Sequence, residues 1–220
     1  MPSSEVVESE KRRAAESAAG LVEHGMRVGL GTGSTVAHLL PALAARRLDI
    51  VCVATSIGTE QRGRQLGLTV EPFDRLERLD IAIDGADQVA NDFWLVKGGG
   101  GAHTREKVVA AAADRFVVIV SADKLVEVVA APVPLELLSF GLAATMRALR
   151  EMGECRIRDV PPSPDGGVIA DCFAEVGDPA AMDARLNATP GVVGHGLFPP
   201  GLVHEVVVAR PDGVEHLYRR

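Results

Sequence analysis

RVGLGTGSTVAHLLPALAAR, residues 27–46, is the stretch from which the fold is read. Residues 27–30 are short and mostly apolar, as in a buried strand. They run into a turn with glycine at positions 29, 31 and 33. A helix is predicted from about residue 36 to 46. The same alternation continues downstream. DIVCVAT (49–55) reads as a buried strand, 58–66 as a helix, 69–72 as a strand and LDIAI (79–83) as another. Residues 94–96 are short and extended, 104–113 helical, and FVVIV (116–120) a further strand. A helix over 5–24 precedes them all, with Gly25 as its expected end. The strands are continuously apolar, the pattern of a parallel sheet covered on both faces. The expectation is a doubly wound, mostly parallel, Rossmann-like α/β domain.

The character changes near Pro132-Val133-Pro134. Strand 133–138, helix 139–152, strand 154–158, a turn PPSPDGG, strand 168–174, helix 178–188 and strand 192–198 follow. That is the β-α-β-β-α-β order of a small ferredoxin-like α+β domain. Two last strands, 204–209 and 214–217, flank an Arg-Pro-Asp-Gly turn. They are expected to rejoin the first domain. The predicted division is therefore 1–131 with 204–220, and 132–203.

Composition narrows the function. Net charge is −7 and aromatic residues are 4%, which argues against a nucleic-acid partner or a base-stacking platform. Cys52, Cys155 and Cys172 lie far apart and outside any C-x-x-C pattern, so they read as buried free thiols in a reducing cytosol. The six histidines show no metal-ligand spacing. The polar start and the lack of ~18 uninterrupted apolar residues point to a cytoplasmic protein with no membrane segment.

Four unusual segments each follow a predicted strand: GLGTGST (29–35), DGAD (84–87), KGGGG (97–101) and SADK (121–124). Ligands of open parallel sheets bind outside the carboxyl ends of the strands, so the four are expected at one crevice. The glycines of the first let the backbone approach a ligand. Thr32, Gly33, Ser34 and Thr35, with the N–H groups of the following helix, suit a phosphate. No lysine precedes Ser34, so this is not a P-loop, and the glycine spacing is not that of a dinucleotide fingerprint. Asp84, Gly85, Ala86 and Asp87 offer carboxylates for proton transfer, for sugar hydroxyls or for a divalent cation; Asp-Gly turn chemistry alone would also account for them. In KGGGGAHTREK (97–107), the N–H groups near Gly98, Gly99 and Gly100 can hold an oxyanion, with Lys97 beside them. Glu106 is a base candidate in the first turn of the next helix, where an acid is also common for dipole reasons. Lys124 can reach an anion or lie solvated; Lys11-Arg12-Arg13 is the kind of run that forms a solvated helix face. A phosphate cradle, carboxylates, an oxyanion loop and lysines together suit a proton shift α to a carbonyl, without metal or organic cofactor.

GxGTGST, Thr55-Ser56, DGAD, KGGGGAxTREK and SADK occur in the order that resembles the A-type ribose-5-phosphate isomerase family. NATPGVVGHGLF and VVVARPDGV extend the resemblance over nearly the whole chain. It implies interconversion of D-ribose 5-phosphate and D-ribulose 5-phosphate through a cis-enediolate in the pentose phosphate pathway. It also implies Glu106 as the base between C1 and C2, and a metal-free site. The matches to TGST, DGAD and KGGG imply substrate contacts from Thr32 to Thr35, from Asp84 to Asp87, where a carboxylate assists ring opening, and from Lys97 to Gly100. Lys124 matches a second substrate lysine and Lys11 a basic helix position near phosphate. A homodimer or dimer of dimers is implied too. Two residues depart from the family pattern: Gln88 stands where DGADE has Glu, and His103 where Leu is frequent. His103 is therefore a candidate for altering pH dependence or substrate preference.

Three other readings compete. A non-catalytic sugar-phosphate sensor is disfavoured, because roughly 25 residues before the first strand leave room for one helix and no DNA-binding module. Another sugar-phosphate isomerase, or a transferase, of the same fold is disfavoured by the set of residues around Glu106. A dinucleotide-dependent oxidoreductase lacks the acid at the end of the second strand, where Thr55-Ser56 stand.

Overall fold

The computed structural model describes residues 3–219. Its contacts divide the chain into two compact units: residues 1–86, 105–125 and 201–220, and residues 87–104 and 126–200.

The first unit is built on a seven-stranded sheet. Its order is Gly213–Tyr218, Glu205–Arg210, Phe116–Ser121, Ile81–Asp84, Arg27–Leu30, Val51–Ala54, Thr69–Val70. All neighbours are parallel except the last hairpin, Glu205–Arg210 with Gly213–Tyr218. The apolar strands are buried as expected, Phe116–Ser121 along its whole length. Helix Ser4–Ala19 buries Ala14, Ala15, Ala18 and Ala19, which share one face and carry only methyl groups, so it packs closely on helix Ser34–Ala45. That first helix ends at Gly20 rather than Gly25: the N–H groups of Gly20 and Leu21 turn back to Ser17 and Ala18, and Gly25 (φ +85°) serves a later turn. Successive strands leave Arg27–Leu30 first toward Thr69–Val70, then from Ile81–Asp84 the other way. The order reverses between Arg27–Leu30 and Ile81–Asp84, the switch point at which such sheets open a crevice.

The second unit contains the β-α-β-β-α-β element. Its antiparallel sheet runs Cys155–Ile157, Val168–Cys172, Val133–Leu137, Val192–His195, with helices Leu142–Leu149 and Pro179–Asn187. The first helix is shorter than predicted because Gly141, at φ +70°, breaks the chain before it. Strand 192–198 is in fact two strands. At Gly196 the chain changes sheets: its N–H donates to the Pro134 carbonyl at 2.7 Å, and its own carbonyl accepts from Lys97 N–H at 2.8 Å. Leu197–Phe198 then joins a second small sheet, in the order Leu197–Phe198, Leu95–Val96, Gln88–Ala90, Leu125–Val126. This sheet groups residues 87–104 with the second unit, whereas the sequence division had put them in the first.

Candidate active site

Three of the four special segments end strands of the parallel sheet. GTGST follows Arg27–Leu30, Asp84 closes Ile81–Asp84, and SADK begins at the last residue of Phe116–Ser121. The fourth does not: KGGGG follows Leu95–Val96 of the small antiparallel sheet in the second unit. Strand periodicity alone could not separate a two-residue antiparallel strand from the parallel set.

In the first unit, Gly31 and Asp84 meet at the switch point. Gly31 N–H donates to the Ile83 carbonyl at 3.0 Å. A methyl group on Gly31 would stand 1.9 Å from the Asp84 carboxyl carbon and from Oδ1, so the position admits glycine only. Asp84 is 3% exposed, and its Oδ1 accepts from Thr32 N–H at 3.0 Å and from Gly85 N–H at 2.7 Å. The carboxylate thus fixes the turn that precedes helix Ser34–Ala45. Gly33 opens that helix at φ +122°, and no side chain caps it. Its first N–H groups, with the Ser34 hydroxyl exposed beside them, are of the kind that can hold an anion. Thr32 Oγ1 lies 2.8 Å from Thr55 Oγ1, and the Thr59 hydroxyl donates to the Gly31 carbonyl at 2.9 Å. Thr59 was not singled out in the sequence; it sits in an ordinary helix turn, and only its fold contact marks it.

Glu106 is 5% exposed in helix His103–Ala111, on the portion that belongs to the first unit. Lys124 lies in a single turn after Phe116–Ser121, half-buried, with Nζ 3.6 Å from Asp123 Oδ2. That turn is held by Glu10, a buried acid of the first helix that accepts from Ala122 N–H at 3.2 Å. Its sequence signal was a lone acid on an alanine-rich face. Lys11 points elsewhere: its ammonium pairs with Glu8 at 2.6 Å, and Glu8 also meets His38 at 3.1 Å. These contacts lower the Glu8 carboxyl, the Lys11 hydrogen bond most.

In the second unit, Lys97 is 2% exposed and its ammonium stands 5.5 Å over the Phe198 ring. Gly98 (φ +108°) lies against His103: a methyl group there would be 2.6 Å from His103 Nδ1 and 2.8 Å from Pro134. The fully buried His103 is therefore a packing neighbour of the loop. Gly101 N–H donates to Gly98 O at 3.0 Å, closing a tight turn. Gly99 N–H donates to Asp87 Oδ2 at 2.8 Å. The structure thus gives the two DGAD carboxylates different tasks, Asp84 holding the GTGST turn and Asp87 the glycine loop. Gln88 explains its own departure from the acid of DGADE. Its amide donates to the Ala130 carbonyl at 3.0 Å and accepts from Ala130 N–H at 2.8 Å, an exchange a carboxylate cannot complete. Arg158, unnoticed in the sequence, donates to the carbonyls of Gly98 and Gly99.

Among the described residues, no group of three or more His, Cys, Asp or Glu is placed to hold a metal ion, and no helix is long and apolar enough to cross a membrane.

Comparison with known proteins identifies the family and the fold. The family model described as ribose 5-phosphate isomerase A (phosphoriboisomerase A) matches residues 51–213. The ribose-5-phosphate isomerase A of Roseiflexus castenholzii is 43% identical over 221 residues, covering 94% of each chain. The structure of ribose 5-phosphate isomerase A from Methanocaldococcus jannaschii superposes with a TM-score of 0.89 at 35% identity, over 94% of this chain and 97% of that one. A D-ribose-5-phosphate isomerase solved in complex with phospho-erythronic acid gives a TM-score of 0.90 at 33% identity, over 97% and 99% of the two chains.

Proposed function

The chain belongs to the ribose 5-phosphate isomerase A family and interconverts ribose 5-phosphate and ribulose 5-phosphate, and from that premise we propose which of its residues do the chemistry. Glu106 takes the proton from C2 of the open-chain aldose and returns it to C1, while the O2 hydroxyl proton passes to O1. The intermediate is a cis-enediolate. In the reverse direction the same carboxylate takes the C1 proton and returns it to C2. A positioned base of this kind is worth roughly 10²–10⁴-fold in rate.

The negative oxygen of the enediolate is held by the Lys97 ammonium and the N–H groups of Gly99 and Gly100. One such donor contributes about 2.7–4 kcal/mol. Gly99 N–H donates to the Asp87 carboxylate at 2.8 Å, so Asp87 must yield this donor for it to serve the sugar oxygen. The phosphate is bound by the turn from Thr32 to Thr35 and the uncapped start of helix Ser34–Ala45, with Lys124 supplying positive charge. Asp84 holds that turn, and one of Asp84 and Asp87 accepts the hydroxyl proton on ring opening. Phospho-erythronic acid, found with one relative, acts here as a mimic of the intermediate, its carboxylate replacing the enediolate. The enzyme works without metal or organic cofactor, in the cytoplasm, as a homodimer or dimer of dimers.

The observation that carries the mechanism is Glu106 itself, a buried carboxylate five residues beyond the glycine loop. Its removal tests the role. Glu106→Gln keeps the shape and removes the base, and ketose formation in EDTA should fall by about 10² or more. The same variant should stop deuterium from heavy water entering C1 of the product. A Glu106→Gln enzyme within a few-fold of wild type sinks the assignment and leaves the activity standing.

A further inference from the structure

The KGGGG loop is gripped from its carbonyl side by one side chain. Arg158, just past strand Cys155–Ile157, donates from Nη1 to Gly98 O at 2.9 Å and to Gly99 O at 3.1 Å. Its Nε and Nη2 donate in parallel to Asp171 Oδ2 and Oδ1, at 2.7 and 2.6 Å. Asp171 belongs to the neighbouring strand Val168–Cys172, opposite Arg156, so the sheet register sets where the guanidinium sits. The two side chains are 19% and 18% exposed. Arg158, Asp171, Gly98 and Gly99 all belong to the second unit.

The consequence lies in peptide geometry. In a trans peptide, C=O and N–H point opposite ways. Binding Gly98 O turns Gly99 N–H away from Arg158, and binding Gly99 O does the same to Gly100 N–H. Gly99 N–H is indeed directed at a carboxylate, that of Asp87. Consecutive glycines have little steric preference for either orientation. A rotated peptide would present a carbonyl oxygen where a donor is needed, and an enediolate would be repelled rather than held.

We propose that Arg158 is a positioning residue for the isomerisation: its fork, anchored by Asp171, fixes the two loop peptides with their donors toward the reacting oxygen. This rests on the reading that the loop N–H groups hold the enediolate. The planar five-donor guanidinium is required, since it must serve two carbonyls and one bidentate carboxylate together; a lysine ammonium has three donors and no fork.

The test uses Arg158→Met, Arg158→Lys, Asp171→Asn and Lys97→Met in the full chain. Each is measured for kcat, KM and the inhibition constant of phospho-erythronic acid. Arg158→Met should lower kcat by about 10–10²-fold, the scale for a misplacement of about 1 Å, and weaken the acid by a similar factor. KM should stay within a few-fold, because phosphate binding is untouched. Arg158→Lys should not restore the loss, and Asp171→Asn should show a smaller one of the same kind. Unchanged kcat and inhibitor affinity in a folded Arg158→Met protein overturn the proposal. So does full rescue by lysine, or a rise in KM alone. Should Arg158→Met fail to fold, Asp171→Asn carries the same reading, and an unaltered Asp171→Asn then overturns it. Lys97→Met separates the two layers. If it spares both kcat and inhibitor affinity, the oxyanion reading of the loop fails; if it abolishes them while Arg158→Met does not, only the positioning role fails.

Discussion

Adding one methyl group at Gly31 tests how rigidly the fold holds Asp84. The Cβ of a Gly31→Ala variant would lie 1.9 Å from both the Asp84 carboxyl carbon and Oδ1, and 2.5 Å from its Cβ. Ordinary carbon contacts begin near 3.5 Å, so something must move by about 1.5 Å. The carboxylate cannot swing freely, because it accepts from Thr32 N–H and Gly85 N–H at 3.0 and 2.7 Å. The turn cannot retreat easily either, since Gly31 N–H is bonded to Ile83 O and Gly31 O to the Thr59 hydroxyl. Overpacking of this kind costs about 1–3 kcal/mol. At about 2–4 °C per kcal/mol for a chain of this size, melting should drop by roughly 2–12 °C. Displacement of about 1 Å at a reacting group costs about 10²-fold, so kcat/KM should fall by that factor, about 2.7 kcal/mol.

A thermal melt reads the first quantity and ketose formation from ribose 5-phosphate the second. Two other glycines calibrate the result. Gly33→Ala meets no atom within 4 Å but must adopt φ +122°, a strain of about 1–3 kcal/mol with no clash. Gly58→Ala also meets nothing within 4 Å, has an ordinary φ and lies in helix Ile57–Gln65, so it should leave activity alone and stabilise by up to about 1 kcal/mol. A Gly31→Ala enzyme as active and as stable as Gly58→Ala would refute the reasoning: the turn and Asp84 would then be free to separate.

Acid stability should depend on Glu205, whose side chain is fully buried against Arg115 and His216. Burial pushes its carboxyl up, but the hydrogen bonds from His216 and Arg115 outweigh it and hold the group below its ordinary 4.5. A lowered folded-state value means stability that is present above the ordinary value and lost as pH falls through the lowered one. Glu205→Gln should cost about 1.5–3 kcal/mol at neutral pH and flatten the fall of the urea midpoint across the carboxylate range; an unchanged slope contradicts this. The three cysteines are buried, and burial drives the Cys52 thiol up to about 12. A disulfide reagent at mildly alkaline pH should therefore leave Cys52 unlabelled in the native protein and label it after denaturation. Rapid labelling of native Cys52 would contradict the packing described.

Much of the molecule was legible because its signals are local. Continuous apolar runs such as FVVIV predicted buried parallel strands, and Phe116–Ser121 is buried throughout. The glycine turn followed by helix was readable because backbone conformation there depends on a few adjacent residues. The ferredoxin-like order after Val133 was visible in the same way. What misled was any element whose identity depends on a distant partner. Residues 192–198 looked like one strand, because nothing within them says that Gly196 must thread between Pro134 and Lys97. KGGGG looked like the end of a parallel strand, because two residues of extended chain, Leu95–Val96, carry no periodicity that distinguishes one sheet from another.

The same division runs through the candidate site. Sequence by itself determined the kind of protein: an α/β chain with a glycine turn opening a helix, paired carboxylates, a glycine loop and Glu106, in an order specific enough to indicate the reaction. Each is a short motif whose chemistry is written in consecutive residues. Only the tertiary structure decided which groups touch. Asp84 went to Thr32, 52 residues away, and Asp87 to Gly99, 12 residues away. Arg158 reached back 60 residues to Gly98. Such pairs are chosen by strand order and sheet register. These arise from the packing of the whole core, so no window of sequence short enough to read as a motif contains them.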